Sequence, residues 1–252
     1  MSDELDVLTI NLWFASQDAE QRLADLAAYL RATAPDVVCC QETDVADDGA
    51  GVEALAAEAG YRVAVAERTD RDDRVGEGLA ILTRLESVAR ATVPLPYDLV
   101  DHPRALQRVD VTTRGGRVVR VGNTHLSWQL HAVDARSEQA DAVVAAFADW
   151  DGPAVVAGDL NDVPGSVTLQ TLADAGFVDA YAAAGCPERP TFDLANPYIW
   201  QLELVGRRVD HVLVRGLQVT AAAIVLDGAD GPVVSDHYGL RARLRVDAAA
   251  QS

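Results

Sequence analysis

Lysine is absent from this chain; all 21 basic residues are arginines, set against 39 acidic ones for a formal net charge of −18. Binding along a phosphate backbone rests on clusters of Lys and Arg, so the deficit disfavours long nucleic acid as a partner. It leaves room for a local positive pocket within an acidic surface, and its plainest explanation is solubility or adaptation to a salty cytoplasm. Cysteine is scarce, with only Cys39, Cys40 and Cys186. Cys39 and Cys40 are adjacent in an apolar, strand-like run, where successive side chains point to opposite faces, so they make a poor disulfide or metal clip. All three read as packing residues in a reducing compartment. No apolar run approaches the ~20 residues of a membrane span. The N-terminal "MSDELDVLTI" carries acids where a secretory signal has a basic and then an apolar region. A cytoplasmic location without a membrane partner is therefore expected. Also missing are G-x-S-x-G, a Walker loop and G-x-G-x-x-G, the sequence signals of a serine nucleophile and of two kinds of nucleotide cradle.

What is present is a chain of 252 residues, 49% hydrophobic, enough for a sizeable core. Short apolar runs punctuated by Gly, Pro and Asp predict strands over 6–11, 36–42, 62–66, 78–82, 87–93, 105–112, 117–125, 153–159, 208–214, 219–226 and 240–246. Helices are predicted over 19–32, 52–59, 133–149 and 166–175; the first carries Leu23, Leu26, Ala27 and Leu30 at helical spacing. Gly115-Gly116 between two strand runs is a hairpin signal. No repeat or linker divides the chain. Residues 1–252 thus read as a single α/β domain in which strands outnumber helices, most simply two packed sheets with helices outside.

The stretch "VVAGDLNDVP", 155–164, runs from an apolar strand into Asp159, Asn161 and Asp162. A capped turn accounts for such residues, since Asp and Asn bond locally and Pro164-Gly165 follow. A catalytic strand end accounts for them equally well. Other strand ends show the same habit: Asn11 closes "VLTIN", Glu42 closes "DVVCCQE" and His125 closes "VGNTH", while Asp210 and His211 sit in "RRVDHVLV" and Asp236 and His237 in "VSDHYG". Each alone has a dull explanation as a cap, a turn or a buried imidazole. Together they suit metal-assisted cleavage of a phosphate ester. A hard cation such as Mg²⁺ wants a carboxylate plus water and substrate oxygens, which fits Glu42 with help from Asp236 or Asn11. A histidine polarised by a carboxylate fits His237 with Asp210. Asn11, Asn161 and His125 supply donors where negative charge accumulates.

In order and spelling, these pieces resemble the endonuclease/exonuclease/phosphatase superfamily, the deoxyribonuclease-like metal-dependent phosphodiesterases and phosphatases. The matching stretches are "TINLW", "PDVVCCQE", "GLAILTR", "NTHL", "AGDLND", "RRVDHVLV" and "SDHYGL", spread in family order over nearly the whole chain. The resemblance implies a four-layer α/β sandwich, two packed and mainly antiparallel sheets flanked by helices. It implies one divalent-metal site, for Mg²⁺ or Mn²⁺, with Glu42 as principal ligand and Asn11 and Asp236 close by. His237, held by Asp210, would be base or transition-state partner; Asp159 would orient the attacking water, with Asn161 beside it; His125 would contact the scissile phosphate. Arg104, in "HPRALQRVDV", matches a weaker position that reaches toward phosphate. His211 stands where Tyr is common, and as a strand neighbour it should point away from Asp210. Asp162 keeps the turn reading. Trp13 reads either as a stacking surface for a substrate ring or as a core residue, and of Trp128 and Trp200 one is expected to pack and the other to line the cleft. The expectation is a monomeric, metal-dependent hydrolase of a small or short phosphate ester by direct water attack. A nuclease on DNA or RNA and a catalytically silent binding module on the same fold are the alternatives.

Overall fold

The structure is a computed structural model that describes residues 3–14, 16–45, 51–69, 76–97, 103–199 and 206–246. Among them the strands are β1 (Glu4–Asn11), β2 (Val37–Asp44), β3 (Arg62–Arg68), β4 (Glu77–Thr83), β5 (Glu86–Leu95), β6 (Arg104–Thr112), β7 (Val118–His125), β8 (Ala154–Asp159), β9 (Val178–Asp179), β10 (Asp210–Arg215), β11 (Gln218–Val225) and β12 (Gly239–Arg245). The helices are α1 (Ala19–Thr33), α2 (Val52–Ala59), α3 (Val133–Ala146), α4 (Val167–Asp174) and α5 (Ala180–Ala183). Every strand and helix expected from the sequence is present within a few residues of its predicted bounds. Only the very short β9 and α5 are additions. Among the described residues no helix is long and apolar enough to cross a membrane.

The strands form two six-stranded sheets, in the orders β11-β12-β1-β2-β4-β3 and β5-β6-β7-β8-β10-β9. Each is built around one parallel pair, β1–β2 or β7–β8, and all other pairings are antiparallel. The parallel pairs need crossovers, and α1 and α3 provide them as two βαβ units. Alternation along the strands then sorts side chains into layers. Cys39 faces the core between the sheets with Val7, Val121, Val155 and Leu240, while Cys40 faces the layer beneath α1 and α2 with Leu26, Leu30 and Leu55. Leu106, Val143, Phe147 and Leu172 fill the layer between the second sheet and the helices α3 and α4. The result is the expected four-layer sandwich. All three cysteines are free, and the two of β2 are fully buried, as packing residues should be.

The hairpin between β6 and β7 closes through Gly115-Gly116; Gly116 has φ 81° and the Thr113 N–H donates to the Arg117 carbonyl at 2.8 Å. Gly158 matters more for function. Its φ is 147°, and a Cβ built there would lie 1.9 Å from the Thr124 carbonyl oxygen, so only glycine lets β8 pass this close to β7 immediately before Asp159.

Candidate active site

Chain direction gathers the polar residues. Strands running toward one rim of the sandwich end on them: β1 at Asn11, β7 at His125, β8 at Asp159. Strands running away begin with them: β4 at Glu77, β6 at Arg104, β10 at Asp210, and β12 just after Asp236 and His237. In the second sheet the register sets His125 opposite Asp159 and Asp159 opposite Asp210, three functional side chains abreast on adjacent strands. In the first sheet Glu42 sits at a bulge in the β2–β4 ladder, between Cys40 and Thr43, with φ 45°. A bulge re-aims one side chain without ending the strand, and a non-glycine residue in the left-handed region is strain held by its surroundings.

The two sheets meet at Asp159. Its Oδ2 accepts from Asn11 Nδ2 at 3.1 Å and lies 3.5 Å from His125 Nε2 and 3.8 Å from His237 Nε2. Its Oδ1 accepts from the Asn161 N–H at 2.9 Å. Asn11 Nδ2 also donates to Glu42 Oε1 at 3.2 Å, while Asn11 Oδ1 accepts from the Trp13 N–H at 3.0 Å. The Trp13 N–H thus fixes the amide so that its nitrogen faces both carboxylates. His237 Nδ1 and Asp210 Oδ2 are 2.9 Å apart, and Asp210 is fully buried. With one ring nitrogen committed to Asp210, His237 turns Nε2 toward Asp159. Phe192 lies against the imidazole, centroids 5.0 Å apart. Asn161, with φ 51°, donates its side-chain N–H to the Leu126 carbonyl.

Burial governs the electrostatics. It pushes Asp159 up to about 7, aided by the Asp210 charge and opposed by His237 and the hydrogen bonds from Asn11 and Asn161. It also raises Asp236, which feels the nearby Glu42 charge. For His237 burial disfavours the imidazolium, but Asp210, Asp159 and Asp236 together prevail and hold its pKa well above the usual histidine range. These carboxylates favour the charged, donating form of the ring.

A profile of the Endonuclease/Exonuclease/phosphatase family matches residues 8–237. The chain belongs to that family. Solved structures of similar shape include an endonuclease/exonuclease/phosphatase family protein from Leptotrichia buccalis (TM-score 0.81, 16% identity, 95% of this chain and 99% of that one). Others are D. rerio TDP2 complexed with a single-strand DNA product (TM-score 0.74, 20% identity, 96% and 98%) and the Bacteroides thetaiotaomicron mannosyl-6-phosphatase Bt3783 (TM-score 0.74, 19% identity, 95% and 99%). Among curated proteins no sequence matches.

In this endonuclease/exonuclease/phosphatase scaffold the rim contains Asn11, Glu42, His125, Asp159, Asn161, Asp210 and His237, and Asp236 is near enough to Glu42 and His237 to feel both charges. Arg104 is buried at the start of β6, two residues past the Leu106–Thr124 pair, which puts it at the same rim beside the end of β7. His211 points away, as expected: its ring meets Arg208 Nη1 at 3.0 Å and the Asp162 carbonyl at 2.9 Å. Asp162 serves its turn, accepting from the Val163 N–H, Thr168 Oγ1 and Arg136 Nε. Trp13 packs near Tyr198, centroids 5.5 Å apart, with the Arg22 guanidinium 5.1 Å from its ring. Trp128 is exposed, and Trp200 lies outside the described residues.

Glu77 is the residue that the sequence reading missed. It is buried, and with Glu42 and His125 it offers donor atoms all within 4.8 Å of one another. An acid opening the fully apolar run "GLAIL" was the available signal, the mirror image of Asp159 closing one. The set of Glu42, Glu77 and His125, rich in carboxylate oxygen, fits a hard divalent cation of the kind that binds through one or two carboxylates. The second cluster, Asp159, Asp210 and His237, has its imidazole Nδ1 committed to Asp210 and reads as acid–base machinery.

Proposed function

We propose that this chain, acting as one catalytic domain, is a divalent-metal-dependent hydrolase of small or short phosphate esters. The observation that carries the reading is the convergence on Asp159 Oδ2, where Asn11, His125 and His237 from three different strand ends lie within 3.1–3.8 Å. Glu42 would be the principal ligand of Mg²⁺ or Mn²⁺, with Glu77 and Asp236 as further anionic neighbours and Asn11 orienting Glu42 through its amide. Bound there, the cation would polarise a phosphoryl oxygen and offset developing negative charge.

The protein groups supply the rest. Asp159, buried and held by the Asn11 side-chain amide and the Asn161 N–H, orients a water and accepts its proton as the water oxygen bonds to phosphorus and the ester oxygen leaves; its raised pKa suits that task. His237, kept protonated by Asp210, donates from Nε2 to the phosphoryl oxygens as charge accumulates. It acts here as transition-state partner, since its carboxylate neighbours favour the charged form of the ring. His125 and Arg104 flank the phosphate, and Asn161 holds Asp159 through its backbone N–H. The net charge of −18 favours a small substrate over a long polyanion.

The test is purified protein with Mg²⁺ or Mn²⁺ against bis-p-nitrophenyl phosphate, p-nitrophenyl phosphate and single-stranded DNA in parallel. Metal-dependent turnover of a small ester is expected, with long DNA bound weakly at ~150 mM salt, near physiological ionic strength. Turnover of DNA alone would move the reading to a nuclease. No turnover of any ester with the metal bound would leave a silent binding module.

A further inference from the structure

We propose that Arg22 is a positioning residue that locks together the two loops flanking Glu42: the one leaving β1 after Asn11 and the one delivering Asp236 and His237 to β12. The β1–β12 ladder ends at the Thr9–Leu240 pair. Beyond it the two segments carry site residues but no longer pair with each other, Asn11 pairing only with Gln41 of β2. Arg22, near the start of α1 and 2% exposed, spans this gap.

A guanidinium has five N–H donors in a planar fork. Those of Arg22 meet five acceptors. Nε donates to the Gln17 carbonyl at 2.8 Å; Nη1 donates to the Leu12 carbonyl at 3.0 Å and the Val234 carbonyl at 2.6 Å; Nη2 donates to the Trp13 carbonyl at 3.3 Å and Ser16 Oγ at 2.6 Å. Four of these acceptors belong to the loop after β1 and one to the loop before β12. The first loop needs holding, because Trp13 and Asp18 both sit in the left-handed region, at φ 54° and 55°.

From Arg22 two hydrogen-bonded paths reach the site. One runs from the Trp13 carbonyl through the same residue's N–H to Asn11 Oδ1, and from Asn11 Nδ2 to Glu42 and Asp159. The other runs from Val234 into Ser235, whose Oγ donates to Asp236 Oδ1 and accepts from the His237 N–H. The helix of the other βαβ unit repeats the device. Arg136 of α3, also buried, donates to the Ser127 and Gln129 carbonyls in the loop after His125 and to Asp162 in the loop after Asp159. Lysine, a point donor on a flexible stem, cannot reproduce either fork.

Arg22→Lys, assayed by hydrogen–deuterium exchange and by kinetics, tests this. The expected result is faster exchange by about tenfold or more, the loss of one or more hydrogen bonds, in both 12–17 and 234–238, with other segments unchanged. Arg136→Lys, as the control, should loosen 127–130 and leave those two segments alone. The kinetic arm rests on the function proposed above: kcat should fall by about 10- to 100-fold, the scale of a small misplacement, with KM within about twofold, because geometry and not substrate contact is lost. The exchange arm stands even if no ester is turned over. Loosening of 12–17 without 234–238 overturns the proposal, as does an unchanged kcat in an active protein with both loops loosened. If Arg22→Lys does not fold, Ser16→Ala removes a single acceptor, and protection unchanged in both loops would be the overturning result.

Discussion

In the first sheet Glu42 reaches the rim from a bulge at φ 45° and Asp236 from a loop, and both side chains are only partly buried. In the second sheet His125, Asp159 and Asp210 stand abreast on regular ladders, and the two carboxylates are 1% and 0% exposed. The difference divides the labour. Glu42, offered to a hard cation and its waters, keeps a face toward solvent from irregular backbone, while Glu77 beside it is buried at a strand start. For Asp159 burial raises the pKa, as suits a group that exchanges protons, and nearby donors offset the desolvation cost. Asp159 accepts from the Asn11 amide and the Asn161 N–H, and Asp210 pairs with His237. On the function proposed above, Glu42 and its neighbours serve a metal and Asp159, Asp210 and His237 serve protons, so substitutions in the two groups should fail in different ways.

The largest effect is expected at Glu42. Glu42→Gln should lose the several kcal/mol that a metal supplies to the transition state, orders of magnitude in rate by steady-state kinetics, with an unchanged circular dichroism spectrum. Next comes the proton half. Asp210→Asn should cost about 10²- to 10⁴-fold in kcat, the range of acid–base groups. It should also change the pH profile. Asp210 helps to hold the His237 pKa well above 6.5, so a rate that needs imidazolium persists below that elevated pKa and is lost as pH rises through it. Without the Asp210 charge the alkaline limb should move to lower pH; an unmoved limb would detach His237 from Asp210 in catalysis. Glu77→Gln should be milder, at about 10- to 100-fold in metal affinity or activity, the scale of groups that support a metal site, and titration calorimetry reads it. The smallest catalytic effect belongs to His211→Ala. Its ring bonds Arg208 and the Asp162 carbonyl away from the rim, so kcat should hold while thermal unfolding reports a loss of about 1–3 kcal/mol for stranded buried partners.

Most of the residues gathered at the rim were legible in the chain itself. Buried strands such as β8 announce themselves as apolar runs, and a carboxylate at the end of one needs a reason. The approach of Asp210 to His237, 27 residues apart, followed from two strands reaching one edge. Glu77 escaped because "VGEG" reads as a turn. β9 and α5 escaped because two and four residues in "VDAYAAAG" carry no periodicity; Asp179 stabilises that turn by accepting from the Tyr181 and Ala182 N–H groups. Arg22 and Arg136 had no sequence signature, because their partners are mostly backbone carbonyls, which every residue has. The bulge at Glu42 and the left-handed Trp13 were equally silent, since both are set by neighbouring strands and loops.

The most direct measurement is Mn²⁺ titration by calorimetry on three proteins: wild type, Glu42→Gln and Asp210→Asn. The two-sided rim predicts binding near wild-type affinity in Asp210→Asn and binding lost in Glu42→Gln, although both variants are catalytically crippled. Equal loss in both, or wild-type affinity in Glu42→Gln, would contradict it.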